Sequence, residues 1–262
     1  MLAGSNGRDS LEATSPIPET TGSNMTTLSV NDQSIAADCS KPGLAMQNRW
    51  AKSLGTLLMS AMLAVPAFAQ APAQARLQPT VLIVGDSLSA EYGLRRGTGW
   101  VPLLEKQLAS ENKTVRVVNA SISGDTTSGG RSRLPALLAQ HQPATVVIEL
   151  GGNDALRGLP LDMTAKNLRT MVQASKKAGA RVLLLGMEVP PNYGAAYATT
   201  FSGLFPKVAK EEKVAIVPFF LKGIADGDNA AGNFQADRIH PNESSQARML
   251  ANVWPELKKI IP

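Results

Sequence analysis

Two short segments of the chain carry side chains suited to nucleophilic catalysis. Ser87 stands in the segment GDSL at residues 85–88, directly after an apolar run that predicts a strand, and a serine at a strand-to-helix turn exposes its hydroxyl. His240 follows Asp237 by three residues, a spacing that lets one turn aim a carboxylate at an imidazole. These residues fit a serine nucleophile with a histidine base. They equally fit a helix cap at the first segment and, at the second, a capping aspartate beside a surface histidine.

The chain has one other histidine, and its position does not suit a base for Ser87. His141 follows a predicted helix and precedes a turn that contains a proline, which predicts a solvated surface residue at the edge where the strands begin. The single cysteine, Cys39, excludes an internal disulfide and any CxxC metal or redox motif, and two histidines offer little for a metal site. We therefore do not expect a metal site.

Two more residues suit the stabilisation of negative charge on a tetrahedral intermediate. Gly124 offers a backbone N–H without interference from a Cβ atom, and Asn153, within GGND at residues 151–154, offers a side-chain amide. Both also suit ordinary turns, the glycine through a positive φ and the asparagine through an Asx-turn. Neither residue identifies a site by itself.

Ser87, Gly124 and Asn153 all follow predicted strands of one sheet. From residue 80 onward, short β-branched apolar runs alternate with longer segments of helical period, a pattern typical of a parallel sheet with helices on both faces. The runs are continuously apolar, which predicts strands buried on both sides. In such sheets ligands bind beyond the carboxyl ends of the strands, where these three residues lie. The predicted strands occupy residues 81–85, 115–119, 145–150, 181–186 and 214–218, and the predicted helices residues 100–109, 131–140, 163–178, 197–211 and 244–260.

Four segments together resemble the motif blocks of the GDSL, or SGNH, hydrolase family. The first is GDSLS at residues 85–89, the second contains Gly124, the third is GGND at residues 151–154 and the fourth is DRIHP at residues 237–241. The similarity covers most of residues 80–256 and extends to bacterial exported esterases. So much shared loop sequence identifies the chain as a member of this family.

The resemblance implies an α/β architecture, a three-layer α/β/α flavodoxin-like fold whose five-stranded parallel sheet has the order 2-1-3-4-5. It implies ester hydrolysis without a cofactor by a triad of Ser87 as nucleophile, His240 as base and Asp237 as the partner of the base. It also implies an oxyanion hole made of the backbone N–H groups of Ser87 and Gly124 and the side-chain amide of Asn153. The expected substrates are lysophospholipids, fatty acyl or aryl esters, and thioesters.

An acyl groove is expected beside the third and fourth strand exits, although its apolar residues fit ordinary core packing equally well. One departure from the family, Glu91 before Tyr92 where many relatives carry a small residue, leaves the substrate preference open. Two other functions remain alternatives, a deacetylase of carbohydrate esters on the same fold and a catalytically silent binding module. The expected groove residues are Leu156, Leu159, Met187, Val189, Pro190 and Tyr193.

The N-terminal region predicts export of the protein. Residues 1–45 are rich in serine and threonine and lack aromatic side chains, so they are expected to be a disordered extension, or a mis-assigned start ahead of Met46. Residues 46–69 have two basic residues, a short apolar run and the sequence Ala-Phe-Ala before Gln70, which is the layout of a secretory signal peptide. Cleavage after Ala69 would leave residues 70–262 as a periplasmic hydrolase domain.

The charge distribution argues against a nucleic-acid partner. The formal net charge is +5 with 18% charged residues, but the basic residues form no run and few aromatic side chains accompany them. The expected partner is a small-molecule ester or lysophospholipid substrate, with transient contact to a membrane surface. The sequence does not determine the oligomeric state, for which a monomer is the expectation.

Overall fold

The structure is a computed structural model that describes residues 78–227 and 230–262. The expectations for the extension at residues 1–45 and the signal peptide at residues 46–69 therefore lie outside the described residues. Among the described residues, no helix is both long and apolar enough to cross a membrane.

Five parallel strands form one sheet in the order β2-β1-β3-β4-β5. This order confirms the predicted 2-1-3-4-5 arrangement. The strands are β1 (Thr80–Gly85), β2 (Arg116–Asn119), β3 (Thr145–Glu149), β4 (Arg181–Leu185) and β5 (Ala215–Val217).

Two of the three inner strands are buried along their whole length, as their continuous apolar runs predict. Every residue of β1 and β3 is buried, whereas the edge strand β2 is exposed at both ends. The pairing of β1 with β3 sets Gly85 beside Glu149 at the carboxyl ends of the two strands. The loops that follow these strands therefore start next to each other.

Helices cover the sheet on both faces, which gives the predicted three layers. Contacts join α1 to α6 on one side, and α2 to α4 and α4 to α5 on the other. The helices are α1 (Trp100–Ser110), α2 (Thr127–His141), α3 (Gly152–Leu156), α4 (Leu161–Lys177), α5 (Ala195–Glu212) and α6 (Gln246–Ile260), with 3-10 turns at Pro191–Tyr193, Ala230–Asn233 and Glu243–Ser245.

Aromatic pairs anchor the core on each side of the sheet. On the side of α1, the buried ring of Trp100 meets Phe220 edge-on at 5.6 Å between ring centroids. On the side of α5, Phe201 and Phe205 pack edge-on at 5.3 Å. Edge-to-face pairs of this kind add about 0.5–1.5 kcal/mol beyond the burial of their area.

Several helical boundaries differ from prediction: α4 and α5 each begin two residues early, and the largest difference, at the start of α2, has a local reason. The helix predicted to start at residue 131 begins at Thr127, because the hydroxyl of Thr126 caps it by accepting the Gly129 N–H at 3.3 Å. Two glycines in its first turn weaken the helical pattern in the sequence. The short helix α3 was not predicted, and the last helix starts two residues late because a 3-10 turn precedes it.

Candidate active site

Ser87, His240 and Asp237 form a hydrogen-bonded chain at the carboxyl end of the sheet. The Nε2 atom of His240 lies 2.9 Å from the Ser87 hydroxyl oxygen, although 153 residues separate the two in sequence. The Nδ1 atom lies 2.7 Å from Oδ2 of Asp237. Since a carboxylate only accepts, Nδ1 must donate its hydrogen to Asp237, which leaves Nε2 free to accept from the serine hydroxyl.

The Asp237 carboxylate is held by the backbone of its own loop. Its Oδ1 atom accepts the N–H groups of Ile239 at 2.9 Å and His240 at 3.0 Å. The hydrogen bond from the His240 N–H, followed by that from Ile239, lowers the pKa of Asp237 to about 2. The carboxylate therefore stays charged across the range in which enzymes work. One oxygen orients the carboxylate and the other orients the imidazole.

Tyr92 covers one face of the imidazole, a contact that sequence reasoning did not predict. Its ring centroid lies 4.4 Å from that of His240, with the planes tilted by 38°, and half of the tyrosine remains exposed. The amide of Gln235 donates to the Tyr92 carbonyl at 2.8 Å, and the Gln235 N–H donates to the His240 carbonyl at the same distance. Gln235 thus ties the tyrosine loop to the histidine loop.

Glu91, the departure noted in the sequence, closes the loop before α1. Its backbone is left-handed, with a φ of 60°, which is strained for a residue with a side chain. Its carboxylate accepts the N–H groups of Gly97 at 2.9 Å and Gly99 at 2.7 Å. These two bonds offset the local strain, because they satisfy N–H groups of the loop and of the helix start.

The expected oxyanion donors lie on the neighbouring loops. Gly124 has a φ of 78°, so a side chain there would be strained, and its carbonyl accepts the Arg157 guanidinium at 2.8 Å. Asn153 lies in the first turn of α3, and its Nδ2 atom donates to Oδ2 of Asp86 at 3.0 Å. One amide hydrogen of Asn153 is thereby committed to Asp86. The other is available to a ligand.

Buried polar contacts fix α3 in place. Both oxygens of the buried Asp154 carboxylate are used, Oδ2 by the Thr127 N–H at 2.8 Å and Oδ1 by the hydroxyls of Thr127 and Thr164, the latter at 3.2 Å. These contacts join α3 to the start of α2 and to α4. Asn153 therefore sits on a segment anchored from two sides.

Arg133 on α2 connects the end of β1 to the loop that follows β2. Its guanidinium pairs with Asp125 at 2.8 Å and donates to the carbonyls of Gly85, at 3.3 Å, and Ala120. Those carbonyls lie at the end of β1 and just beyond β2. The residue therefore holds the loop of Ser87 against the loop of Gly124.

The family model described as the GDSL-like lipase/acylhydrolase family matches residues 83–248, the span that carries all of these loops. The chain belongs to this family. The GDSL hydrolase is 53% identical over 205 residues to Esterase TesA of Pseudomonas aeruginosa, covering 78% of the chain and 98% of the relative.

Two further comparisons agree with this assignment. The GDSL hydrolase is 46% identical over 167 residues to the Escherichia coli K12 protein named thioesterase 1/protease 1/lysophospholipase L1, covering 64% of the chain and 77% of the relative. It matches the crystal structure of TesA with a TM-score of 0.67 and 54% identity, covering 70% of this chain and 99% of that chain. The esterase, thioesterase and lysophospholipase names are those of bacterial relatives.

The six expected groove residues of the GDSL hydrolase lie in different environments. Leu156, Pro190 and Tyr193 are exposed, Leu159 and Val189 are half-buried, and Met187 is 6% exposed and packs within the hydrophobic core. Two surface cavities of about 400 and 410 Å³ lie elsewhere, one beside β5 and α6 and one between α4 and α5. Neither cavity includes any of the six residues, so the groove stays a prediction.

His141 lies where the sequence places it. It ends α2, just before β3 begins, which is the edge of the sheet opposite the carboxyl ends. Its side chain is half-buried rather than fully solvated. His240 is thus the histidine that the fold brings to Ser87.

Proposed function

We propose that this GDSL hydrolase cleaves carboxylic esters and thioesters through an acyl-enzyme on Ser87. The observation that carries the proposal is the chain from Ser87 to His240 to Asp237, with its distances of 2.9 and 2.7 Å. Such a chain activates a weak hydroxyl nucleophile by giving its proton a nearby acceptor.

The reaction proceeds in two transfers. As the Ser87 oxygen bonds to the carbonyl carbon, Nε2 of His240 takes the hydroxyl proton and Asp237 stabilises the imidazolium. The bond to the leaving group then breaks, and His240 delivers the proton to the departing alcohol or thiol. In the second transfer His240 takes a proton from water, whose oxygen attacks the acyl carbon. Release of the acid returns the proton to Ser87.

The negative charge of both tetrahedral intermediates is stabilised by the Ser87 and Gly124 N–H groups and by the Asn153 amide. Arg157 and Asp86 support two of these donors, since they bond the Gly124 carbonyl and the Asn153 amide. Donors fixed before the reaction need no reorganisation as charge develops, and one such donor contributes about 2.7–4 kcal/mol to catalysis.

The surface around the site favours acyl or aryl substrates over sugar esters. Tyr92 and Ile239 flank His240 and are each about half exposed, at 50% and 49%. Leu156, at the end of α3, and Tyr193, in the 3-10 turn after β4, are exposed where the acyl groove is expected. The names of the relatives, an esterase and a thioesterase/lysophospholipase, support the same substrate classes. A periplasmic enzyme with such a surface would meet lysophospholipids and make transient contact with the membrane.

The test is covalent labelling and turnover in matched variants. Wild-type protein treated with a fluorophosphonate should gain one adduct, located on Ser87 by peptide mass analysis, because fluoride leaves as the serine oxygen bonds to phosphorus. Ser87→Ala and His240→Ala should each lose p-nitrophenyl butyrate turnover by several orders of magnitude.

Ser110→Ala and His141→Ala are the matched controls, because Ser110 is exposed on α1 and His141 lies at the opposite edge of the sheet. Both should retain wild-type turnover. An adduct on another residue, or loss of turnover in His141→Ala but not in His240→Ala, would overturn the proposal. Folded wild-type protein that neither turns over esters nor takes the label would favour the alternative function, a catalytically silent binding module.

A further inference from the structure

Two acidic side chains lie buried side by side beneath Ser87. The pairing of β1 with β3 sets Glu149 next to Gly85, and Asp86 follows directly. Glu149 is 0% exposed and Asp86 is 2% exposed. A Cβ atom at Gly85 would lie 2.7 Å from Oε2 of Glu149, so the glycine gives the glutamate room at this point. The absence of a side chain at residue 85 therefore leaves the space that the buried Glu149 carboxyl group occupies.

The hydrogen bonds of the two carboxyl groups leave one oxygen without a donor. Oε2 of Glu149 accepts the Ser89 hydroxyl at 2.8 Å and the Asp86 N–H at 3.2 Å. Oδ1 of Asp86 accepts the Leu88 N–H at 3.0 Å, and Oδ2 accepts the Asn153 amide at 3.0 Å. Oε1 of Glu149 has no donor anywhere in the described residues.

A protonated Glu149 resolves this arrangement. The Asp86 N–H already donates to Oε2 of Glu149 at 3.2 Å, so the two carboxyl groups are neighbours, and a proton on Oε1 would turn the orphaned oxygen into a donor. Two ionised carboxylates at this site would repel each other and leave a buried charge without enough partners, which is costly. One proton shared by the pair removes both problems.

The charges around the pair favour the proton on the glutamate. Two other ionisable groups lie around the carboxyl pair. His240 lies near Asp86. Arg133 donates to the Gly85 carbonyl, and its charge is paired with that of Asp125. Burial, and then the charge of Asp86, raise the pKa of Glu149 well above its ordinary value. Burial also raises the pKa of Asp86 to about 6, although the Leu88 N–H, Asn153 and His240 oppose it. Glu149 is therefore the acid that keeps its proton at neutral pH.

We propose that Glu149 is protonated in the working enzyme and donates to an ionised Asp86, and that this pair sets the orientation of the Asn153 amide. An ionised Asp86 only accepts hydrogen bonds, so it must face Nδ2 of Asn153 and not its oxygen. The second amide hydrogen is then held ready for the substrate oxygen. Glu149 is in this sense a positioning residue, and its effect on turnover rests on the proposed esterase function.

The protonation itself is tested without any activity measurement. We expect the infrared difference spectrum between wild type and Glu149→Gln, at neutral pH, to show a protonated carboxylic acid band that the variant lacks. Glu105→Gln, which changes an exposed glutamate on α1, should instead show loss of carboxylate bands. A Glu149→Gln spectrum that shows only loss of carboxylate bands would overturn the proposal.

The effect on positioning is tested by rescue with the conservative variant. Glutamine reproduces the protonated acid, because its amide N–H can donate to Asp86 while its oxygen accepts from Ser89 and the Asp86 N–H. Glu149→Leu has neither group, and we expect its kcat for p-nitrophenyl butyrate to fall about 10²-fold with KM little changed, as for a misplaced oxyanion donor. Glu149→Gln should recover most of that loss.

The possible outcomes separate this inference from the proposed function. If Glu149→Gln loses as much kcat as Glu149→Leu, the positioning role is wrong even though hydrolysis stands. If Glu149→Leu does not fold, the kcat of Glu149→Gln still tests the positioning role, because a large loss relative to wild type would contradict it. The infrared bands then still test the protonation of Glu149. If wild type shows the acid band but no esterase turnover, the proposed function fails while the protonation stands.

Discussion

Replacing Asp237 with asparagine isolates the role of its charge from its role in the fold. Oδ1 accepts two backbone N–H groups at 2.9 and 3.0 Å, and the asparagine oxygen can take over both bonds. The amide nitrogen then occupies the place of Oδ2, 2.7 Å from Nδ1 of His240. Because that nitrogen only donates, it forces Nδ1 to accept, and the imidazole must carry its hydrogen on Nε2. The base is then in the wrong tautomer for Ser87.

The loss can be estimated from this change. A tautomer locked against proton transfer in an otherwise intact triad costs about 10⁴-fold in kcat, which corresponds to about 5.4 kcal/mol in the activation barrier. The fold should lose little, because the two backbone bonds are kept and the carboxylate is partly exposed at the surface. The wild-type carboxylate, with its pKa of about 2, supplies its charge at any pH where the enzyme is assayed. The asparagine amide does not ionise in that range, so raising the pH should not restore the missing charge in the variant.

The assay combines turnover with a direct view of the imidazole. kcat for p-nitrophenyl butyrate should fall about 10⁴-fold in Asp237→Asn, with the melting temperature nearly unchanged. Nitrogen NMR of His240 should show the hydrogen on Nδ1 in wild type and on Nε2 in the variant. Asp162→Asn, which removes an exposed carboxylate from α4, is the matched control and should behave as wild type. If Asp237→Asn keeps more than a tenth of the wild-type kcat while its tautomer changes, the orienting role assigned to the carboxylate is wrong.

Four further outcomes are expected. Asn153→Ala should lower kcat about 10²-fold to 10³-fold in a folded protein, because one oxyanion donor is lost, and unchanged kcat would exclude the amide from the site. In a pH series of urea unfolding, Glu149→Gln should gain stability over wild type as the pH rises above the ordinary glutamate pKa of 4.5. The folded wild type binds more protons than its unfolded chain in that range, so the difference should grow by at most about 1.4 kcal/mol per pH unit, and a flat difference would contradict a buried acid. Values of kcat/KM should rise from acetyl to octanoyl p-nitrophenyl esters, with Leu159→Asp weakening the trend, since each buried methylene contributes up to about 0.8 kcal/mol; a steady fall from acetyl onward would favour the deacetylase. Intact mass of periplasmic protein should correspond to an N-terminus at Gln70, and peptides from residues 1–45 in that protein would rule out cleavage.

The layout of the sheet and the loops of the site were predictable because they depend on local patterns. The continuous apolar runs of β1 and β3 report burial on both faces, and loops after parallel strands meet at one edge. Ser87, Gly124 and Asn153 were therefore expected near one another before any distance was known, and the resemblance of the loop segments to one family placed His240 with them. The resemblance of four loop segments to one family added the order of the strands.

The contacts that orient the site were not predictable, because they depend on side chains from distant elements. The sequence around Asp86 fits a helix cap. The hydrogen bond that Asp86 accepts from Asn153 forms only because β1 and β3 pair. Nothing in the sequence around Tyr92 predicts that its ring packs against the imidazole of His240. One signal in the sequence does point to the pair: Glu149 is a charged residue that directly follows three apolar residues of a buried strand, and a buried charge requires a partner.

The contacts that Arg133 makes with the end of β1 and with the loop after β2 imply that the candidate site and the core of the molecule lose order at different temperatures. β2 is an exposed edge strand with one neighbour in the sheet, and strands of this kind open locally at a lower free energy than the core. Arg133 fastens the carbonyl beyond β2 to the end of β1, which is fully buried. The amide hydrogens around Gly124 should thus exchange with solvent sooner than those of β1. On warming, the loop that carries Gly124 should lose its structure first, and the enzyme should lose its activity while its core is still folded.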